Sequence, residues 1–360
     1  MLMFTRGTRE ITSCKMPSRS MRTCSASSMS LRAAVLWYQP DASVSTHWIR
    51  RLITVEAGSD EAIIGILSAG PWCTVVIAMR VGLGLPNGIP NTEGSLLIEW
   101  ARKAEEGPFT SVGVIDRLAY DCHDPMAALA AAAAVTSKIR LVTMAVVGPL
   151  RTGAMLAKEA ATIDALSGGR LVLGLVVGAR AMDYEAAGVD HRGRGDYFEE
   201  QLATLRDHWE KGPGPRPARP GGPELLVGGA SDVAFARVAR FADGYVHGGG
   251  PPRAFARAAD NARAAWKHAG RPGAPRLWGQ SYFALGDEAS IERGMEYMRD
   301  YYAFTGPFAE KIAAGLLTTP QAIAQHVRGY EEAGCDEIVL LPAVADIEQA
   351  DRLADVLPDS

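Results

Sequence analysis

The chain has 360 residues, 48% of them hydrophobic and 22% charged, enough to bury a large core as one or two domains. A formal net charge of -4 offers no concentrated basic surface for phosphates, and no run of about 18 uncharged apolar residues occurs, so neither a nucleic-acid partner nor a membrane span is expected. The five cysteines are widely spaced, odd in number and without a CxxC pair; this suggests neither a zinc site nor a disulfide framework and makes a reduced, cytoplasmic setting the expectation.

Residues 1–78 differ from all that follows. Ser, Thr, Arg and Met dominate up to Ser30, and only the clusters at 62–67 and 73–78 are apolar. The opening forms no clean amphipathic helix, as a transit peptide would, and no apolar core follows its arginines, as a secretory signal requires. A poorly ordered N-terminal extension is expected, with a start codon chosen upstream of Met79 as one origin.

From Met79 the pattern turns regular. Residues 80–85 read as a strand closing in the turn Pro86-Asn87-Gly88, and Thr92 as the cap of a helix with Leu96, Leu97 and Trp100 on its apolar stripe. Residues 111–115 are a second strand. Asp124 and Pro125 then supply the N-cap and first position of an alanine-rich helix through Val135. The third strand spans 139–147. A helix over 152–166 follows, with Leu156, Ile163 and Leu166 as its expected buried stripe, and Gly168-Gly169 stops it. Strand four, 170–178, is apolar on both faces, as in a strand buried between layers. A long connection leads to a helix over 195–209 and a Pro- and Gly-rich loop over 211–223. Strands at 224–229, 244–247, 276–285 and 337–341 complete the set, with helices at 231–241, 252–269, 288–302, 320–333 and 346–357.

Eight strands alternating with helices over roughly 280 residues fit a TIM (β/α)₈ barrel spanning 79–360. The open, doubly wound alternative lacks its signature. Gly82-x-Gly84-x-Pro86-Asn87-Gly88 has the wrong last spacing for a dinucleotide turn, and no GxxxxGK[ST] loop is present.

In such a barrel the chemistry lies at the C-terminal strand ends. The seven lysines fall in helices, loops or the start of strand three, so a Schiff-base aldolase is disfavoured. The seven histidines are scattered, with no HxH after strand one, so no metal site is expected. A mouth of glycine and apolar residues with Asp116, Arg117 and Arg180 remains, which suits a cofactor carrying its own chemistry. Val227-Gly228-Gly229-Ala230-Ser231 runs from a strand straight into a helix. It reads either as a phosphate cradle of backbone N–H groups at the positive helix end or as a plain βα turn with Ser231 as N-cap. A cofactor-free phosphate-ester isomerase or lyase could use the same cradle, but no Lys or Glu base is borne on a strand.

Asp164-Ala-Leu-Ser-Gly-Gly-Arg-Leu-Val-Leu-Gly-Leu-Val-Val-Gly178, Asp183-Tyr-Glu-Ala-Ala-Gly-Val-Asp190, Val227 to Ser231 and Phe241-Ala-Asp-Gly-Tyr245 resemble the bacterial luciferase-like flavin monooxygenase family over 79–360. Val112-x-Val-x-Asp116 and Gly329-Tyr-Glu-Glu-Ala-Gly-Cys-Asp336 fit the same pattern. The resemblance implies a flavin-dependent oxidoreductase with reduced FMN or the deazaflavin F420 in the barrel mouth, acting on a small organic substrate by oxygen insertion or hydride transfer. It further implies a flavin reductase as partner and a homodimer. Gly228 and Gly229, with Ala230 and Ser231, would hold the cofactor phosphate. Thr143, Met144 and Ala145 would form a strand-three bulge under the ring, where family members often have a non-proline cis peptide, and Gly178 would end strand four nearby. Asp116 matches the family's acid at the end of strand two. Some F420 members carry a His where this chain has Arg117, and some an acid where it has Ala179. Those departures argue against the proton chemistry of an F420 sugar dehydrogenase and leave room for a non-catalytic flavin-binding subunit.

Single residues keep two readings each. Arg117 either stabilises the anionic N1 region of a reduced flavin or pairs with Asp116 or Asp121. Tyr184 and His247 either touch substrate or serve as loop packing and a satisfied core histidine. Arg180 and Arg192 read as a solvated basic pair, Cys122 and Cys335 as unreactive thiols, and Trp278 and Tyr282 as barrel filling. Substrate is expected to enter between the strand-four connection and an insertion at 302–319.

Overall fold

The computed structural model describes the backbone of residues 51–57, 60–68 and 73–77 and, with side chains, residues 79–357. The chain divides into two compact units, with the boundary between Ala78 and Met79. In the first, Arg51–Ala57, Asp60–Ser68 and Cys73–Ile77 form an antiparallel sheet with the second segment in the middle. The apolar clusters at 62–67 and 73–78 supply its second and third strands. The expectation of a poorly ordered extension covers residues 1–78, of which 1–50, 58–59, 69–72 and 78 lie outside the described residues.

The second unit is a closed barrel. Its strands are β1 (Arg80–Gly84), β2 (Ser111–Val114), β3 (Arg140–Thr143, resuming over Val146–Val147), β4 (Leu171–Val176), β5 (Glu224–Gly228), β6 (Gly244–Val246), β7 (Arg276–Phe283) and β8 (Glu337–Pro342). All neighbours are parallel, in the order β3-β2-β1-β8-β7-β6-β5-β4, and the ring closes where Leu141 and Val142 pair with Leu171 and Val172. The break in β3 is a cis peptide between Met144 and Ala145, at the expected bulge.

Around it run α1 (Gly94–Glu106), α2 (Pro125–Val135), α3 (Gly153–Ser167), α4 (Ala181–Ala187), α5 (Arg194–Lys211), α6 (Asp232–Phe241), α7 (Pro252–His268), α8 (Glu288–Tyr301), α9 (Phe308–Ala313), α10 (Pro320–Glu332) and α11 (Glu348–Ala354). Several start where the sequence indicates. The Asp124 carboxylate accepts from the Ala127 N–H at 2.8 Å, and Thr152, Ser231, Asp287 and Thr319 cap α3, α6, α8 and α10 in the same way. Thr92 does not cap α1: its hydroxyl donates to the Ile89 carbonyl, and the helix begins two residues later. Nor is Leu166 buried; it is 60% exposed, because the inner stripe of α3 runs through Leu156, Ala160, Ile163 and Ser167, at steps of four, three and four. The strand-four connection contains α4, and the insertion after β7 contains α9; both are too short to show a sequence period.

Two apolar layers result. Val142, Val172, Leu226, Val246, Trp278 and Val339 fill the barrel, so Trp278 is filling, as expected. Outward-facing strand residues such as Leu141, Leu173, Leu225 and Leu340 meet the helices. At the N-terminal end of the strands lies an ionic floor. Fully buried Glu337 accepts from Arg140 Nη2 at 2.6 Å and Thr110 Oγ1 at 2.8 Å and forms an ion pair with Arg80 Nε at 3.2 Å, while Arg140 also reaches Glu224 and stacks on Trp278. Burial pushes the Glu337 carboxyl up, but Arg140 and Arg80 outweigh it and hold the group below the usual carboxylate value.

Candidate functional site

At the C-terminal ends of β3 to β6 lies a cavity of about 350 Å³. Met144, Ala145, Val176 and Val246 give it apolar walls, and the loops Gly229-Ala230 and His247-Gly248-Gly249 supply backbone. Thr143 sits one residue before the cis peptide and is fully buried. Its hydroxyl accepts from the Gly174 N–H at 2.8 Å and donates to the Gly174 carbonyl at 2.7 Å, tying β3 to β4 just before the break. Thr143 therefore supports the bulge from below and does not border the cavity.

The strand-five loop approaches closely because its glycines permit it. A Cβ on Gly228 would stand 2.8 Å from both Val176 Cγ1 and the Val246 carbonyl. Gly229 has φ +139°, and a Cβ there would stand 2.5 Å from Ala234 Cβ. Ser231 Oγ accepts from the Ala234 N–H at 3.3 Å, so it is the N-cap of α6. The cap satisfies one of the first-turn N–H groups and leaves others at the positive helix end, next to exposed Gly229, Ala230 and Ser231. The βα turn with Ser231 as N-cap is thus present, and the exposed helix start beside it is the place the phosphate reading would use. Gly178, at φ +78°, lets the end of β4 approach Val147 and lies outside the cavity wall.

His247 and Tyr245 are the titratable side chains on that wall. Nδ1 of His247 lies 3.0 Å from the Tyr245 hydroxyl, which also lies 3.0 Å from the Gly229 carbonyl. Its Nε2 is buried without a hydrogen-bond partner among the described residues, so it is not a fully satisfied core histidine. Tyr184, by contrast, takes its packing role: it is buried, and its hydroxyl donates to the Val177 carbonyl at the foot of α4.

Asp116 and Arg117 do not border this cavity. The Asp116 carboxylate accepts from the Val147 N–H at 2.9 Å and from Arg151 Nη1 at 2.8 Å, so it anchors the second half of β3. Burial raises its pKa above the ordinary value, against the pull of Arg151. Arg117 makes an ion pair with neither Asp116 nor Asp121. It is 8% exposed, donates to the Tyr301 carbonyl at 2.9 Å, and stacks on Tyr120 at 4.2 Å and Tyr301 at 5.1 Å. Arg180 also stacks, on Tyr301 and Phe304, and is not solvated; Arg192 is exposed. With Tyr282, Tyr297 and Tyr302 these side chains form an aromatic plug, and the expected substrate route between α4 and the insertion is bridged by Arg180. Burial raises the Cys122 thiol to about 11 and the buried Cys335 thiol well above its usual value, so both are unreactive at neutral pH.

Tyr245 and Gly249 escaped the sequence reading as site residues. The usable signal was the glycine run after His247, since three glycines beyond a strand end let backbone line a cavity. A phosphorylated, planar cofactor fits what is present: an apolar pocket, a loop that a Cβ would fill, and a helix start for an anion. Among the described residues no three His, Cys, Asp or Glu side chains are arranged to hold a metal ion, and no helix is long and apolar enough to cross a membrane.

A family model described as luciferase-like monooxygenase matches residues 79–337. Pyrimidine monooxygenase RutA of Cronobacter sakazakii is 35% identical over 166 residues, which cover 40% of this chain and 48% of that protein, so the match spans about half of the relative. An F420-dependent secondary alcohol dehydrogenase, solved with an F420-acetone adduct, superposes with a TM-score of 0.64 at 16% identity, over 78% of this chain and 99% of that one. Riboflavin lyase RcaE, solved with modified FMN and riboflavin, superposes with a TM-score of 0.61 at 18% identity, over 78% and 91%. At those identities the two structures establish the fold.

Proposed function

The chain belongs to the luciferase-like monooxygenase family, and on that premise we propose that it is an oxidoreductase using reduced FMN or F420 in the cavity at the ends of β3 to β6. The observation that carries this is the pairing of an apolar, glycine-lined pocket with the strand-five loop at the start of α6. The bound cofactor would supply the electrons for oxygen insertion or hydride transfer. The chain's own part is binding and placement. Gly229, Ala230 and Ser231 would meet the phosphate, Met144 and Ala145 would support the ring, and Val176 and Val246 would exclude water. Asp116 and Arg117 would act at one remove, by holding the second half of β3 and the aromatic plug. The substrate is a small organic molecule, and a separate flavin reductase would deliver reduced flavin if FMN is the cofactor.

No lysine or carboxylate borders the cavity, so a cofactor-free isomerase would find neither as a base there. Titrating the purified protein with FMN, riboflavin and F420, each oxidised and reduced, tests the proposal. Saturable binding of FMN or F420, tighter than riboflavin, is expected. Absence of binding to all three would refute it.

A further inference from the structure

Tyr245, on β6, has one hydroxyl proton and two polar neighbours, the Gly229 carbonyl and His247 Nδ1, each at 3.0 Å. A carbonyl only accepts, so Tyr245 donates to Gly229, and its oxygen then accepts a hydrogen bond from Nδ1–H. The reverse order would take the phenol donor from the Gly229 carbonyl and put a buried N–H on Nε2, for which no hydrogen-bond partner is present among the described residues. The ring is also neutral: burial lowers its pKa to about 4, over a smaller opposing pull from the Gly249 backbone. A neutral imidazole with its proton on Nδ1 has a bare lone pair on Nε2. The ring plane is held by the edge of Phe255, 5.7 Å away, and by the His247 N–H donating to the Trp278 carbonyl at 2.8 Å.

We propose that His247, as the Nδ1–H tautomer, is a positioning residue that pins the strand-five loop through Tyr245 and presents Nε2 to accept a hydrogen bond from a hydroxyl or N–H of the molecule bound in the cavity. The nature of that molecule rests on the cofactor reading; the tautomer and the loop anchor do not. Sequence alone could not show this, because Gly229, Tyr245 and His247 converge only once β5 and β6 are paired in register.

Three measurements on the full chain decide it. Nitrogen NMR of histidine-labelled protein should show a pyrrole-like Nδ1 and a pyridine-like Nε2 for His247, and the Nε2 signal should move on saturation with oxidised FMN. His247→Asn keeps a donor near the Nδ1 position and removes the Nε2 acceptor, whereas His247→Phe removes both. Amide hydrogen exchange at residues 230–235 should therefore be unchanged in His247→Asn and faster in His247→Phe. FMN should bind about two- to tenfold more weakly to His247→Asn, and more weakly still to His247→Phe. A pyrrole-like Nε2, equal exchange in all three proteins, or wild-type FMN affinity in His247→Asn would each overturn the proposal. If the wild-type chain bound neither FMN, riboflavin nor F420, the cofactor reading would fall, and the nitrogen shifts and loop exchange would still decide the role of His247.

Discussion

Replacing Ala230 by Glu sets a carboxylate at the start of α6 without disturbing the loop that carries it. Ala230 is exposed, already has a Cβ and lies on the cavity wall, so the longer side chain has room. Gly229→Val would be a poorer probe. At φ +139°, with Ala234 Cβ 2.5 Å from the added atom, it would strain the turn whatever was bound there. A carboxylate and a phosphate a few ångströms apart on a half-solvated rim repel by about 1–3 kcal/mol, or roughly five- to 150-fold in affinity. Ala230→Lys should shift affinity the other way. Fluorescence titration with oxidised FMN should show both changes, and riboflavin, which lacks the phosphate, should show neither. Equal losses for FMN and riboflavin in Ala230→Glu would mean that no phosphate sits at this loop. The cofactor would then have to lie elsewhere in the mouth.

Arg117→Met removes two ring contacts and a charged hydrogen bond, so it should cost about 1–3 kcal/mol of stability in urea titration while changing the affinities for oxidised and reduced flavin by the same factor. A loss confined to the reduced form would return Arg117 to the ring. Glu337→Gln removes the fully buried carboxylate that Arg80 and Arg140 share, while Arg140 keeps Glu224, and should cost about 3–5 kcal/mol by chemical denaturation; a loss below about 1 kcal/mol would show the shared carboxylate to be dispensable. For His326, burial lowers the pKa to about 4 from 6.5, so the unfolded chain binds more protons between those values. Its contribution is therefore complete above 6.5 and is lost as pH falls toward 4, by about 1–2 kcal/mol once partial solvation is allowed for. His326→Gln, which can still bond Ser281, should flatten the fall of melting temperature over that interval; an unchanged slope would refute this.

The barrel was legible because its signals are local. Strands buried on both faces, such as Leu171–Val176, appear as continuous apolar runs, and Asp124-Pro125 and Ser231 mark helix starts by side-chain chemistry alone. Leu166 failed because spacing names a stripe only to within a residue or so, and small Ala160 and Ser167 complete the true one. α4 and α9 failed because one or two turns carry no period. The candidate site was legible where backbone freedom matters, as at Gly229 on the cavity wall, and where the family pattern marks the strand-three bulge.

What stayed hidden depends on partners distant in sequence. Arg117 stands beside Asp116 in the chain, yet the acid is used by Arg151 and the Val147 N–H, while the guanidinium turns to Tyr301, 184 residues away. Adjacency in sequence said nothing about which of them would face the cavity, and in the fold neither does. The mouth is consequently divided. Over the ends of β7 and β8 the tyrosines of α8 and the insertion are packed shut, with Arg117 and Arg180 wedged between rings. Over β3 to β6 the walls are small or apolar and the loops are glycine. The glycine side therefore offers a planar ligand an apolar opening that the tyrosine side does not. Widening the other side requires Arg180 to leave Tyr301 and Phe304, two cation–π contacts worth about 0.5–2 kcal/mol each, which is small enough for a bound substrate to offset.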